Sequence, residues 1–221
     1  MGSLKVSSNF TDTPSEDNSD SIPVGNSGRL RINKGFEKVE NAQSTINLEG
    51  YNLGNKSIST HSFEGKELQG IATASIKNAD GFWHYSRKDI VLDSTHKYTN
   101  RNMSLGAGFY IGLGDLKGTQ VDGYKNDEEM KRYDLDVTGT FLIIDPTSDK
   151  AYESIDFLLY EVWGESYKSS RHPHIALNEY FRNNIPGGIK YDGIILLKGN
   201  GVAEGILFQP NDSNISLNIE S

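Results

Sequence analysis

The runs Gly81-Phe82-Trp83-His84-Tyr85-Ser86 and Gly106-Ala107-Gly108-Phe109-Tyr110-Ile111-Gly112 are the most informative part of this chain of 221 residues. Both are short, rich in aromatic residues and bounded by glycine or polar residues, a pattern typical of strands. We therefore predict one strand over Phe82–Tyr85 and another over Gly108–Leu113. A polar segment joins them, in which Arg87–Ser94 is a candidate for a short helix.

Outward from these two runs, strand-like segments outnumber helical ones. Six further strands are predicted, at Ile71–Ile76, Thr138–Ile144, Phe157–Val162, Gly193–Leu197, Val202–Phe208 and Ile215–Ile219. Helices are predicted at Asn126–Tyr133 and at Pro173–Asn183, the second because proline suits a first helical turn. Strands do not alternate with long helices, which argues against a doubly wound parallel sheet and predicts an α+β fold with mostly antiparallel sheets.

The length suits one domain with a core of its own. Residues 1–28 consist mainly of Ser, Asn, Asp, Thr, Gly and Pro and offer almost nothing to a core. We predict that they form a disordered leader and that residues 29–221 form a single domain. The leader is either a non-cleaved export signal of the kind that needle-type secretion systems use or an ordinary flexible terminus.

Charge and cysteine content narrow the classes of partner. Lys and Arg total 22 against 30 Asp and Glu, so the formal charge is -8 and the isoelectric point is near 5.1. Such a surface repels phosphate backbones and anionic membranes, which argues against general nucleic-acid binding. The chain has no cysteine, which excludes disulfides, thiolate metal sites and a cysteine nucleophile.

The sequence predicts a soluble protein without a transmembrane segment. No apolar run approaches the length that spans a bilayer. The first residues lack the basic start and apolar stretch of a secretory signal peptide. Acylation of Gly2 is disfavoured because Val6 stands where that modification needs Ser or Thr.

The glycines around Tyr110 need an explanation of their own. A dinucleotide-binding fingerprint, Gly-x-Gly-x-x-Gly, closes a strand and opens a helix. Here the third glycine, Gly112, falls one place late, and the segment has the pattern of a strand throughout. We therefore reject that interpretation and expect glycines that let another group approach the backbone closely.

In their order, these runs resemble motifs of the ADP-ribosyltransferase superfamily, in the His-Tyr-acid branch that includes diphtheria-type toxins and the poly(ADP-ribose) polymerases. The branch's His, small residue, Ser or Thr motif is similar to His84-Tyr85-Ser86, and its Gly-x-Gly-hydrophobic-Tyr strand is similar to Gly106–Tyr110. Lys190–Ile195 and Glu204–Asn211 resemble the end of many bacterial toxin domains. The resemblance covers residues 80–215 and implies a split β-sheet core with a few flanking helices.

The resemblance implies NAD as the substrate and assigns roles to the motif residues. His84 would hydrogen-bond a ribose hydroxyl, and Ser86 would anchor the nicotinamide amide. Tyr110 would stack on the nicotinamide ring, with Gly108 beside it in the NAD-binding strand.

An acid completes the expected site. Cleavage of the nicotinamide–ribose bond passes through an oxocarbenium-like state, which a nearby carboxylate stabilises. Glu204 is the first choice for this acid and Asp192 the second, because some branches end in Asp. The arginine-targeting branch is disfavoured, since Ser57–Thr60 matches its Ser-Thr-Ser strand poorly and no Glu-x-Glu occurs.

Each of these residues also has a plainer interpretation. A lone histidine between Trp83 and Tyr85 is often a hydrogen-bonded core residue. Tyr110 suits any strand, and Glu204 suits the solvent face of an edge strand.

Three other histidines have patterns that invite a functional interpretation. His61 is an alternative for the first motif, although it lies farther from Tyr110 along the chain. His172 and His174 flank Pro173 without further ligands at metal spacing, so no metal site is predicted.

The expected function is therefore that of a mono-ADP-ribosyltransferase or NAD glycohydrolase. We expect a monomeric bacterial toxin or effector that reaches a host or target cell by a non-Sec route and modifies a host protein. One rival is a catalytically inactive module of the same fold that only binds. Another is an unrelated β-rich protein that binds a sugar or other ligand on its Tyr and Trp residues.

Overall fold

The computed structural model describes residues 31–33, 35–39, 46–87, 89–90, 104–115, 127–164, 172–211 and 213–218. The strands in these ranges are β1 (Arg31–Asn33), β2 (Phe36–Lys38), β3 (Asn55–Phe63), β4 (Lys66–Ser86), β5 (Phe109–Leu113), β6 (Lys131–Ile144), β7 (Asn184–Pro186), β8 (Gly193–Gly199), β9 (Val202–Leu207) and β10 (Ile215–Asn218). The helices are α1 (Asp149–Trp163) and α2 (Pro173–Asn183). The predicted leader, residues 1–28, lies outside the described residues.

A closed barrel of five strands forms the centre of the fold. The main sheet has the order β10-β6-β8-β9-β5-β4-β3-β2, and an additional pairing of β6 with β4 closes the ring β6-β8-β9-β5-β4. Within the ring only β6 and β8 are parallel. The expected α+β fold with mostly antiparallel strands is confirmed.

Alternating side chains of the barrel strands build two apolar clusters. The inner cluster fills the barrel with residues such as Phe82, Phe109 and Phe141. The outer cluster lies between the barrel and the two helices and includes Ile194 and Ile206. Successive side chains of a strand point to opposite faces of the sheet, so consecutive residues belong to different clusters.

The longest strand, β4, unites two predicted strands, Ile71–Ile76 and Phe82–Tyr85. Its register against β6 shifts twice between Ile76 and Phe82. At this irregularity Asn78 has a positive φ of 52° and its backbone N–H donates to Thr138 Oγ1 at 3.0 Å. Lys77 and Asn78, which follow the first of the two predicted strands, therefore belong to a bulge within one long strand and do not mark the end of a strand.

Helix α1 replaces a predicted strand. Phe157–Val162 was expected to be extended, but it lies inside α1, so that prediction is wrong. Its apolar residues belong to a longer helical pattern, in which Ala151, Ile155, Leu158 and Leu159 are buried. No helix in the described ranges has the length and apolar composition that crossing a membrane requires.

The predicted helix Asn126–Tyr133 is also wrong. Residues 127–130 form a turn, in which the Met130 N–H donates to the Asp127 carbonyl at 2.9 Å, and β6 begins at Lys131. Pairing with β4 outweighs the weak helical preference of this charged segment. In the candidate helix Arg87–Ser94, residues 87, 89 and 90 are not helical, and the other five lie outside the described residues.

Most other predicted elements are confirmed. Helix α2 has the predicted bounds Pro173–Asn183. The predicted strands Gly108–Leu113, Thr138–Ile144, Gly193–Leu197, Val202–Phe208 and Ile215–Ile219 correspond to β5, the second half of β6, β8, β9 and β10. The short strands β1, β2 and β7 and the polar strand β3 were not predicted.

His61 lies on β3 and is fully buried. Its ring stacks on Phe36 at 4.6 Å, and neither ring nitrogen has a hydrogen-bond partner. Burial, reinforced by the charge of Lys38, lowers the pKa of His61 to about 4, although the nearby Glu37 backbone opposes the shift. The ring is therefore neutral at pH 7.

This ring makes stability depend on pH. The unfolded chain takes up a proton first, because the pKa of about 4 in the folded state lies below the ordinary histidine pKa of about 6.5. Stability is therefore lost as the pH falls from about 6.5 to about 4, by about 3 kcal/mol. We expect His61→Leu to lose about 2 kcal/mol less than the wild type between pH 7 and pH 4.5 in urea unfolding. Equal losses in the two proteins would contradict this account.

Candidate functional site

The strands that carry the predicted site residues are neighbours. The order β9-β5-β4 places the strand of Glu204 beside that of Tyr110, and the strand of Tyr110 beside that of His84. In the β5–β9 register, Tyr110 lies opposite Ile206 and Gly112 lies opposite Glu204. Residues that are far apart in sequence thus meet in one wall of the barrel.

Strands β4 and β5 stay together only briefly. Their registered pairs are Phe82 with Leu113 and Trp83 with Gly112. Beyond these pairs β5 remains paired with β9 and β4 with β6, but β4 and β5 no longer pair with each other. We call the place where they part the seam, bounded by His84–Ser86 of β4 and Phe109–Tyr110 of β5.

His84 bridges the seam. Its Nδ1 lies 2.6 Å from the backbone carbonyl of Tyr110, and its ring stacks on Phe109 at 4.2 Å. A carbonyl only accepts, so Nδ1 carries the hydrogen and Nε2 of the neutral ring is the acceptor. Burial lowers the pKa of His84, which keeps the ring neutral at pH 7. No residue in the described ranges forms a hydrogen bond with Nε2.

Tyr110 fixes the loop that precedes β5. Its hydroxyl donates to the Gly106 carbonyl at 2.9 Å and accepts from the Leu105 N–H at 3.0 Å. Burial raises the pKa of Tyr110, and the charge of Glu204 adds to that effect. The phenol therefore stays protonated and holds the loop of residues 104–108.

Helix α2 holds the same loop from the other side. Asn178 Nδ2 donates to the carbonyl of Leu105 at 2.6 Å and to that of Ala107 at 3.0 Å. Arg182 donates to the Ala107 carbonyl as well and lies over the ring of Phe208. The loop is thus anchored to both the barrel and the helix.

The rings of His84 and Tyr110 lie on opposite faces of the barrel wall. Phe109, against which His84 stacks, belongs to the inner cluster, whereas Tyr110 packs against the outer cluster. His84 therefore meets Tyr110 at its backbone and not ring to ring. The two residues are neighbours across the seam, but their side chains point to opposite faces of the barrel wall.

Glu204 lies on the outer face with Tyr110. Its side chain is 9% exposed, and its two oxygens have separate partners. Oε1 accepts from Ser104 Oγ at 3.2 Å, and Oε2 lies 3.4 Å from Lys198 Nζ. These partners offset part of the cost of burying the carboxylate.

Asp192 is placed differently. Its Oδ2 accepts from the Thr140 N–H at 2.8 Å, so the carboxylate is turned to β6. The Asp192 backbone N–H donates to the Thr140 carbonyl, and the Asp192 carbonyl accepts from the Phe208 N–H. Of the two predicted acids, only Glu204 lies beside Tyr110 and its loop.

The glycines of β5 accommodate side chains of this same chain. A Cβ on Gly112 would lie 2.4 Å from Trp83, whose indole covers that residue. A Cβ on Gly108 would lie 2.4 Å from Ile206 and 2.7 Å from the Leu207 carbonyl. The close approach expected at these glycines is therefore made by Trp83 and by β9.

Ser86 and His61, the remaining candidates, lie apart from one another. Ser86 ends β4 opposite Lys131, half-buried, at the far end of the seam. His61 lies on β3, which β4 separates from β5. His84 and not His61 is therefore the histidine that adjoins Tyr110.

Sequence reasoning missed four residues of this site. These are Ser104, Asn178, Arg182 and Lys198. In β8 the apolar run Ile194–Leu197 ends at Lys198, and a charged residue at the end of a buried strand could have indicated a role for this lysine. Nothing local marks Ser104, because its partner Glu204 lies 100 residues away.

His172 and His174 lie at the start of α2, with their rings 4.8 Å apart. Across the described ranges, no group of three or more potential ligands is placed to hold a metal ion.

Comparisons of the chain with protein-family models, curated proteins and solved structures found no match.

Proposed function

We propose that this protein cleaves the nicotinamide–ribose bond of NAD, as a mono-ADP-ribosyltransferase or NAD glycohydrolase. The observation that carries the proposal is the seam. His84 and Tyr110 border it, and the buried carboxylate of Glu204 lies on the next strand.

The residues at the seam have the chemistry that this reaction needs. Nε2 of His84 accepts a hydrogen bond from a ribose hydroxyl, because Nδ1 is committed to the Tyr110 carbonyl. Ser86 and the Tyr110 backbone border the same seam, where the nicotinamide amide would bind. The loop of residues 104–108 is held rigidly, which favours precise placement of a ligand.

In the proposed reaction the C–N bond breaks and its electron pair leaves with nicotinamide. The ring of His84 and the carboxylate of Glu204 lie on opposite faces of the barrel wall, so the proposal requires the ribose to lie across the seam. There the negative charge of Glu204 stabilises the positive charge that develops on the ribose. An acceptor oxygen or nitrogen then bonds to the ribose carbon and gives up its proton to the carboxylate or to solvent. The proposed acceptor is a side chain of a host protein, or water in the glycohydrolase form.

A second candidate is a binding module of the same fold without catalysis. It is favoured by the opposite faces of the His84 and Tyr110 rings and by the use of the Tyr110 hydroxyl within the loop. In that case NAD or an ADP-ribosyl group binds at the seam and is released unchanged.

Incubation of the purified chain with NAD separates the two candidates. We expect free nicotinamide to accumulate in proportion to protein concentration and the unfolding temperature to rise when NAD is added. A thermal shift without nicotinamide supports the binding module. Absence of both would contradict a role in NAD chemistry.

A further inference from the structure

The carboxylate of Glu204 is held at both of its oxygens. Oε1 accepts from Ser104 Oγ at 3.2 Å, and Oε2 lies 3.4 Å from Lys198 Nζ. The last torsion of a glutamate side chain has broad minima, so the side chain alone does not fix the plane of its carboxylate. The two partners therefore decide how this carboxylate is oriented.

The hydrogen bond from Ser104 depends on the position of its loop. Ser104 is exposed, whereas Leu105, the next residue, is fully buried in the outer cluster. An O–H···O distance of 3.2 Å is already long, and a further displacement of about 0.4 Å would break the bond. The backbone that follows Ser104 must therefore be held in place for the bond to Glu204 to form.

Helix α2 holds this backbone through Asn178, which is 2% exposed. Its Nδ2 donates to the Leu105 carbonyl at 2.6 Å and to the Ala107 carbonyl at 3.0 Å. The Ala107 carbonyl also accepts from Arg182, so Asn178 matters most at Leu105. The Leu105 N–H donates to the Tyr110 hydroxyl at 3.0 Å. The barrel thus holds the peptide group before Leu105, and the helix holds the one after it.

We propose that Asn178 is a positioning residue for Glu204. By holding the Leu105 carbonyl, it places Ser104 where the serine hydroxyl donates to Oε1 of the carboxylate. The expected effect on rate rests on the proposed function, in which Glu204 is the acid of NAD cleavage. Loss of the Asn178 amide and loss of the Ser104 hydroxyl should therefore have the same consequence at Glu204, because both act through one hydrogen bond.

The first measurement is the carbon-13 NMR signal of the Glu204 carboxyl group in the full-length chain without NAD. The signal is assigned as the one that is missing from Glu204→Gln. We expect Asn178→Ala and Ser104→Ala to shift it in the same direction, and the double variant to shift it no further than Ser104→Ala. Asn183→Ala should leave it in place. Asn183 is the matched control because it lies on the same helix but donates to the Glu179 carbonyl, within the helix, at 2.8 Å.

The second measurement is the rate of nicotinamide release as a function of NAD concentration. Asn178→Ala and Ser104→Ala should each lower kcat about tenfold, which is the loss expected for one hydrogen bond to a charged group. KM should change by less than about twofold, since neither substitution removes a group that borders the seam. The double variant should be slowed about tenfold as well, and a loss of about a hundredfold would contradict a shared hydrogen bond.

The inference is overturned if Ser104→Ala leaves the Glu204 signal in place, or if Ser104→Ala moves the signal and Asn178→Ala does not. Asn178→Ser is the second variant if Asn178→Ala does not fold, because a serine hydroxyl can bond to the carbonyl four residues back in its own helix. Failure of both to fold would make Asn178 a structural residue and would also overturn the inference. The signal is read without NAD. The expected shifts in a chain that releases no nicotinamide would therefore support the positioning and contradict the proposed function alone.

Discussion

Replacing Glu204 with glutamine should lower nicotinamide release by about a thousandfold, whereas Asp192→Asn should leave it within about twofold. The glutamine keeps the size of the side chain and removes the charge that stabilises the developing ribose cation. Asp192 is directed to the Thr140 N–H, which the amide oxygen of asparagine also accepts. The measurement is the initial rate of nicotinamide release at saturating NAD.

Thermal unfolding provides the control for this pair. Glu204→Gln leaves Lys198 without its ionic partner, so its unfolding temperature must be compared with that of the wild type. A folded Glu204→Gln protein with full activity would remove Glu204 from the reaction. Loss of activity in Asp192→Asn alone would transfer the role to Asp192.

Replacing Gly193 with alanine should destabilise the fold by about 3 kcal/mol or more. A Cβ at this position would lie 2.0 Å from the Ile206 carbonyl oxygen and 3.0 Å from the ring of Phe141. The first of these contacts is with the backbone of the adjacent strand β9, which cannot move without breaking the β8–β9 ladder. Urea unfolding at pH 7 measures the loss.

Gly188→Ala is the matched control. Gly188 has a φ of 79°, but no atom lies within 4 Å of a Cβ built there. Its replacement should therefore cost only the backbone strain, about 1 kcal/mol. Similar losses in both variants would show that β9 yields to the added methyl group.

Gly193 also illustrates what a motif can and cannot indicate. The Tyr191-Asp192-Gly193 run contributes to the resemblance to bacterial toxin domains, yet the packing of β8 on β9 is enough to require this glycine. Packing also suffices to require glycine at position 108, against β9, and at position 112, beneath Trp83. A ligand site and close packing would both require glycine at these positions. Only the placement of the neighbouring side chains shows which of the two reasons applies.

The sequence predicts the strands of the site well but not the faces of their side chains. Phe109 and Tyr110 are consecutive, so their opposite orientation follows from the period of a strand. A count with a period of two from Ala74 and Ile76 gives His84 the face of Phe109, but only because two register shifts between Ile76 and Phe82 cancel. Bulges of this kind depend on pairing with β6, which local sequence does not encode.

Helix α1 shows a second limit. Over Phe157–Val162 the residues suit a strand as well as a helix, and only the longer window from Asp149 reveals the helical period. The polar partners of Glu204 show a third limit of prediction from sequence. Ser104 and Lys198 reach it through strand order and loop anchoring, which arise from tertiary packing.

The parallel pairing of β6 with β8 has a consequence for folding kinetics. These strands are joined through α1, α2 and β7, so they meet only after a long crossover has been formed. Contacts of such separation slow folding, because chain entropy is lost before the pairing stabilises it. β9 enters the barrel as the partner of β8, and it brings Glu204 with it. The pairing of β9 with β5, which sets Glu204 beside Tyr110, therefore depends on the same long crossover through β8.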